Sequence, residues 1–237
     1  MARLQCLGSS SSGNCFILTC GDDKLIIDLG VSWNEILGGL DYDIANVCGC
    51  LCCHVHGDHS KSIPKALYYC LRVFSCQNVK DKYEGVTVLE PMKVTTISSF
   101  KVVALPLKHN VENYGFIIYH SELGKLVYAV DCVEFPYNVK DASHWIIEAN
   151  HDEEIIFDKM LENEYSRSAS ENHLNILQAI DALKRNKGLN MSTIVLSHLS
   201  DSNSNSEAFK KMVKEQLDFD SVYVAQNGLD IELWTQK

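Results

Sequence analysis

The chain has 237 residues, 46% hydrophobic and 22% charged, with a formal net charge of −10. That length supports a large core, so one α/β domain over residues 1–237 is expected rather than a disordered or fibrous chain. The acidic balance speaks against a surface built to grip long nucleic acid, and no apolar run approaches the roughly 20 residues needed to cross a membrane.

Ten cysteines do not read as a disulfide framework. Residues 1–6 break into Gly and Ser too soon for a secretory signal, so reduced thiols and a cytoplasmic setting are expected. Cys48, Cys50 and Cys52 alternate along one apolar run, where free Cys behaves as a small hydrophobe.

The chain opens as an antiparallel meander, with strands expected over 4–7, 15–19 and 24–28. Between the first two lies the small-residue loop Gly8-Ser9-Ser10-Ser11-Ser12-Gly13-Asn14. A short helix around 33–37 leads to a second apolar run, 44–53. That run delivers Cys53-His54-Val55-His56-Gly57-Asp58-His59-Ser60, three imidazoles and a carboxylate. Burying several titratable rings together leaves them unsatisfied unless something takes up all their lone pairs, and a metal ion does so. His54 and His56, at i and i+2, point to one side of an extended loop and can share one ion, while Asp58 and His59 can reach a second.

A helix over 63–70, a strand over 72–75 and a polar segment over 77–85 come next, then strand-like alternation over 86–107 that ends in His109. Strands over 114–119 and 125–130 pair as a hairpin, the second ending in Asp131. The run 145–147 closes on Glu148-Ala149-Asn150-His151-Asp152. Helices are expected over 153–165 and 174–185, a strand from 192 that ends in His198, a helix over 206–217 and a strand over 221–225 with a closing hairpin. His120 and His144 read as surface or turn residues.

Four ligand groups therefore each follow an apolar strand. If those strand ends converge on one sheet edge, His54, His56 and His109 hold one cation, Asp58, His59 and His198 hold a second, and Asp131 bridges them. Zinc or manganese suits such a set, with iron a third choice. Asp28, at a strand end before Gly30, suits an acceptor that fixes the tautomer of a ligand histidine.

Asp28, the His54–His59 block, His109, Asp131 and His198, in this order over nearly the whole chain, resemble the motifs of the metallo-β-lactamase superfamily. The serine-rich loop, Glu148-Ala149-Asn150-His151-Asp152 and Leu196-Ser197-His198-Leu199-Ser200 are similar to hallmarks of its YycJ/WalJ-like branch. The resemblance implies an α/β (α+β) fold, a four-layer αβ/βα sandwich with a dinuclear site at its edge, and phosphodiesterase or nuclease activity. Two stretches depart from the pattern. Asn172-His173-Leu174-Asn175 lacks the family's usual Gly before the His and Ser after the Leu, and Asp201 stands where a basic residue is more usual.

A phosphodiester is the natural substrate of such a centre, from DNA, RNA or a nucleotide. Asp58 or Asp131 would orient the attacking water, and His151 and His173 are the candidate acids for the leaving group. Ser11, Ser12 and Asn14 are candidate phosphate contacts. Two other classes compete with the nuclease reading. A small-substrate hydrolase, such as a cyclic nucleotide phosphodiesterase or a lactonase, fits the acidic charge better. A non-catalytic metal-binding module would have no chemical need for all seven ligands. No membrane partner is expected, and the sequence leaves a homo-oligomer open.

Overall fold

The computed structural model describes residues 2–160 and 171–234. The first three strands are β1 (Ala2–Ser10), β2 (Gly13–Cys20) and β3 (Asp23–Ile27), and they pair antiparallel in sequence order. The expected serine loop is shorter than its composition suggests, because β1 runs on to Ser10 with a register shift between Cys6 and Gly8. After α1 (Trp33–Gly39), β4 (Val47–Leu51) joins β3 in parallel. A capping box closes the start of α1, Ser32 accepting from Glu35 N–H and Glu35 accepting from Ser32 N–H.

Next come α2 (Gly57–Ser60), α3 (Ile63–Tyr68), β5 (Val73–Ser75), α4 (Gln77–Lys82) and β6 (Thr87–Val88). The helix α4 occupies most of what sequence alone reads as a featureless polar segment; it buries only Val79, too little to leave a periodic apolar signal. The alternation over 86–107 resolves into β6, β7 (Val94–Ile97) and β8 (Phe100–Leu107). Then follow β9 (Asn113–His120), β10 (Gly124–Ala129), β11 (His144–Glu148), α5 (Glu153–Met160), α6 (Ile176–Asn186), β12 (Thr193–Ser197), α7 (Ser206–Leu217), β13 (Val222–Val224) and β14 (Asp230–Leu233). The C-terminal part of the helix expected over 153–165 lies outside the described residues. Among the described residues, no helix is long and apolar enough to cross a membrane.

Among the described residues the strands form two seven-stranded sheets, ordered β14-β1-β2-β3-β4-β5-β6 and β13-β12-β11-β10-β9-β8-β7. One apolar cluster joins them, with Phe16, Leu18 and Ile26 of the first sheet and Phe116, Ile118 and Tyr128 of the second, and it continues under α1, α3 and α4. A second cluster packs Trp145, Ile147 and Leu196 against Ile180 and Leu183 of α6 and Phe209 and Val213 of α7. The layers are therefore helix, sheet, sheet, helix.

This topology explains why the polar strand ends meet. In the first sheet β3 and β4 are parallel, and in the second β10, β11 and β12 are parallel. The strands β1 and β8 lie two antiparallel steps from β3 and β10, so they run the same way as those strands. All seven deliver their C-terminal ends to one edge of the sandwich, where ligands gather in open α/β sheets. Asp28, Asp131 and His198 follow β3, β10 and β12 directly or within two residues, and each has a left-handed backbone, with φ of 60°, 51° and 54°.

Candidate metal centre

The loop after β4 is pressed against the turn after β3. A Cβ on Gly30 would lie 1.6 Å from the Asp58 carbonyl oxygen, so only glycine lets the two backbones meet. Leu29 N–H donates to His59 O at 2.8 Å and Ser62 N–H to Leu29 O at 2.9 Å. This clamp sets the histidine loop on the rim of a buried sheet.

His54, His59 and His109 are each held by a group outside the ligand set. Asp28 is fully buried and its Oδ2 lies 2.8 Å from His59 Nδ1; the same carboxylate accepts from Cys53 N–H and from the Tyr128 hydroxyl. His59 Nε2 is thereby turned inward, 2.6 Å from Asp131 Oδ2 and 3.4 Å from Asp58 Oδ2. His54 Nδ1 rests 3.0 Å from Cys53 Sγ, which leaves its Nε2 facing His56 Nδ1 at 2.9 Å and Asp131 Oδ2 at 3.6 Å. His109 Nδ1 sits 3.2 Å from the Asn172 carbonyl, which selects the Nδ1–H tautomer and frees Nε2. Its ring centre is 5.1 Å from that of His54 and 5.3 Å from that of His56.

Two groups of donor atoms result, each within 4.8 Å of one another: His54, His56 and His109 in one, and Asp58, His59, Asp131 and His198 in the other. The donors fit two divalent cations. Imidazole nitrogens and carboxylates converge, and the buried His198 Nε2 has no hydrogen-bond partner among the described residues and faces Asp58 Oδ2 at 3.8 Å. Cations satisfy these lone pairs together, which protein groups here do not.

Glu148, which sequence reading left unassigned, is a central part of the arrangement. It is fully buried at the end of β11. Its Oε1 lies 2.7 Å from His173 Nδ1 and 2.9 Å from His198 Nδ1, while Oε2 accepts from Cys132 N–H and Leu174 N–H, both at 3.0 Å. Burial works to raise its carboxyl, yet His173 and His198 bring it down to about 2. Asp131 is likewise held well below the usual carboxylate range by His198 and His59 against the opposing effect of burial. Burial works to lower His173, but Glu148 and Asp131 push it up to about 9. The available signal for Glu148 was a carboxylate closing an apolar strand, as Asp28 and Asp131 do.

A cavity of about 130 Å³ opens over the centre, lined by His56, Asp58, His109, Asp131, His173 and His198, with Ser11 on its wall. His173 reaches it and His151 does not: His151 is buried, and its Nδ1 has no partner. Ser12 lines a neighbouring polar cavity of about 470 Å³. Asn14 is buried, donates to Ser10 O, and lies 2.9 Å from His59 Nε2; it steadies the loop from below. Ser9 accepts from His198 N–H at 2.9 Å, a contact that repeated serines in the sequence do not single out. His120 and His144 are corrected: both are buried, His144 in β11 with Nε2 at 3.0 Å from Leu123 O.

No family model matches the chain. In solved structures, the chain is similar to the metallo-β-lactamase fold protein YhfI from Bacillus subtilis, with a TM-score of 0.74 and 17% identity over 98% of this chain and 100% of that one. The chain has the metallo-β-lactamase fold. Human tRNase Z, short form, shares this fold with the chain, with a TM-score of 0.66 and 16% identity over 98% of this chain and 99% of that one. In sequence, it is 24% identical over 167 residues to exodeoxyribonuclease YycJ of Bacillus anthracis, which bears out the sequence resemblance to that branch. The match spans 63% of this chain and 63% of that relative's length.

Proposed function

We propose that this metallo-β-lactamase fold chain is a metal-dependent phosphodiesterase acting on a DNA, RNA or nucleotide phosphodiester. The supporting observation is the joint placement of two donor groups that share an edge and of His173 on the wall of the same cavity. His54, His56 and His109 would hold one divalent cation and Asp58, His59 and His198 the other, with Asp131 between. Such cations supply water acidified toward neutral pH and neutralise charge on phosphoryl oxygens.

The protein's own groups do the rest. Asp58, part exposed to the cavity, orients the attacking water. His173 has its Nδ1 side tied to Glu148 and Asp131, so its Nε2 side is the one left to protonate the leaving oxygen. The nuclease names of YycJ and tRNase Z favour a phosphodiester. A small-substrate hydrolase is the second reading, favoured by Glu35 and Asp201 beside Lys61, the one cation among the described residues that line the adjoining cavity: a polyanion meets like charge there.

Hydrolysis of bis-p-nitrophenyl phosphate by protein loaded with zinc or with manganese tests this function. Turnover that disappears in His56→Ala and Asp131→Ala is the expected result. Absence of turnover with both cations demonstrably bound counts against a phosphodiester substrate.

A further inference from the structure

Cys53 is a fully buried thiol that takes no part in the chemistry above, yet three polar atoms surround it. Its Sγ lies 3.0 Å from His54 Nδ1, 3.1 Å from His59 Nδ1 and 3.3 Å from Asp28 Oδ2. The two histidines belong to different donor groups, His54 with His56 and His109, and His59 with Asp58, Asp131 and His198. One sulfur therefore stands behind both candidate cation sites. Asp28 supports His59 directly, its Oδ2 2.8 Å from His59 Nδ1. Among the described residues, His54 Nδ1 has Cys53 Sγ as its hydrogen-bond partner and no other.

The placement of hydrogens follows from what each group can do. His59 turns Nε2 toward Asp58 and Asp131, so its Nδ1 carries the hydrogen and donates to Asp28. The thiol has one hydrogen and two neighbours that could accept it, the carboxylate and His54 Nδ1. A carboxylate oxygen is the stronger acceptor, so S–H points at Asp28 Oδ2. What the sulfur then offers His54 is a lone pair, and only Nδ1–H can meet a lone pair. That tautomer leaves Nε2 bare on the side that faces His56 and Asp131. The backbone completes the arrangement: Cys53 N–H donates to Asp28 Oδ1 at 2.8 Å, which fixes the residue against the carboxylate that orders its side chain.

We infer that Cys53 is a positioning residue that carries the hold of Asp28 across to His54, so that one carboxylate sets the tautomer of a ligand histidine in each cation site. The hold is direct at His59 and passes through sulfur at His54. Cys53, His54 and His59 also place donor atoms within 4.8 Å of one another. His59 Nδ1 is already committed to Asp28, however, and the sulfur has no exposed surface, so the thiol serves as a hydrogen-bonded support and not as a ligand. This assignment rests on reading the two donor groups as cation sites.

Calorimetric titration of the chelator-treated protein with zinc, and of its Cys53→Ser and Cys53→Ala variants, tests it without turnover. Neither substitution adds bulk at the buried position, and circular dichroism checks that both variants fold; Cys53→Val, nearer in volume, repeats the comparison if the alanine variant does not. The unaltered protein is expected to bind one equivalent for each donor group. Cys53→Ala leaves His54 without its acceptor and should weaken one equivalent by about 10- to 100-fold, with the other, held through Asp28, nearly unchanged. Cys53→Ser keeps a group that accepts and donates, and should restore the pair. Equal weakening of both equivalents, or a loss that Cys53→Ser shares, would reduce Cys53 to core packing and overturn the assignment, as would unchanged affinities in Cys53→Ala. A further equivalent in the unaltered protein that Cys53→Ala abolishes would make the sulfur a ligand and overturn it too. Absence of bound zinc in the unaltered protein refutes the cation reading itself, and this assignment with it.

Discussion

His173 has two carboxylates against one ring nitrogen, Glu148 at 2.7 Å and Asp131 at 3.1 Å, and that pairing gives its role a kinetic signature. A group that protonates a leaving oxygen matters most when the leaving group is a poor one. His173→Ala is expected to lose about 100-fold or more in kcat on a diester with an alkoxide leaving group, and far less on one that releases p-nitrophenolate. Equal losses on both would mean that His173 only supports the site. At this scale much could be read in advance. His54, His56, Asp58 and His59 declare themselves by density, because no apolar core needs three imidazoles in so short a loop. Glu148 and Ser9 do not. Each is a single common polar residue whose meaning depends on which strand end lies beside it, and pairing across 50 residues, as between Glu148 and His198, leaves no trace in local spacing.

At the scale of elements, the strands and their polar ends were legible because buried parallel strands are apolar runs that stop abruptly. His144 shows where that reading fails: it begins β11 and reads as a turn residue, yet it is 1% exposed. Burial lowers its pKa to about 4, with the Leu123 carbonyl working in the opposite sense, whereas in the unfolded chain it titrates near 6.5. The unfolded state therefore takes up the proton first. The stabilisation is complete above pH 6.5 and is lost as pH falls toward 4, with about 2 kcal/mol gone by pH 5. Denaturant unfolding at pH 7.5 and pH 5 should show a drop in His144→Gln smaller by about that amount than in the unaltered chain. Identical drops would place the proton uptake elsewhere.

Across the whole molecule, the donor groups divide between the two sheets. The loop after β4 brings His54, His56, Asp58 and His59 from the first sheet, and the ends of β8, β10 and β12 bring His109, Asp131 and His198 from the second. Cations bound there fasten one half of the sandwich to the other and bind only the folded state. At a hundredfold excess over Kd that linkage contributes ~2.7 kcal/mol, or roughly 5–10 °C in Tm for a chain of this size. Scanning calorimetry with chelator and with added zinc measures the difference; an unchanged Tm would show that the edge holds no cation. The left-handed turn at Asp131 has one more consequence. Its φ of 51° is a conformation glycine adopts freely, and its carbonyl, which accepts from Asn113 Nδ2, belongs to the backbone alone. One base change converts an aspartate codon to a glycine codon. At this position such a mutation leaves the backbone at ease but strips His59, His173 and His198 of a shared buried carboxylate, so whatever stability is lost is lost to electrostatics and not to the bend of the chain.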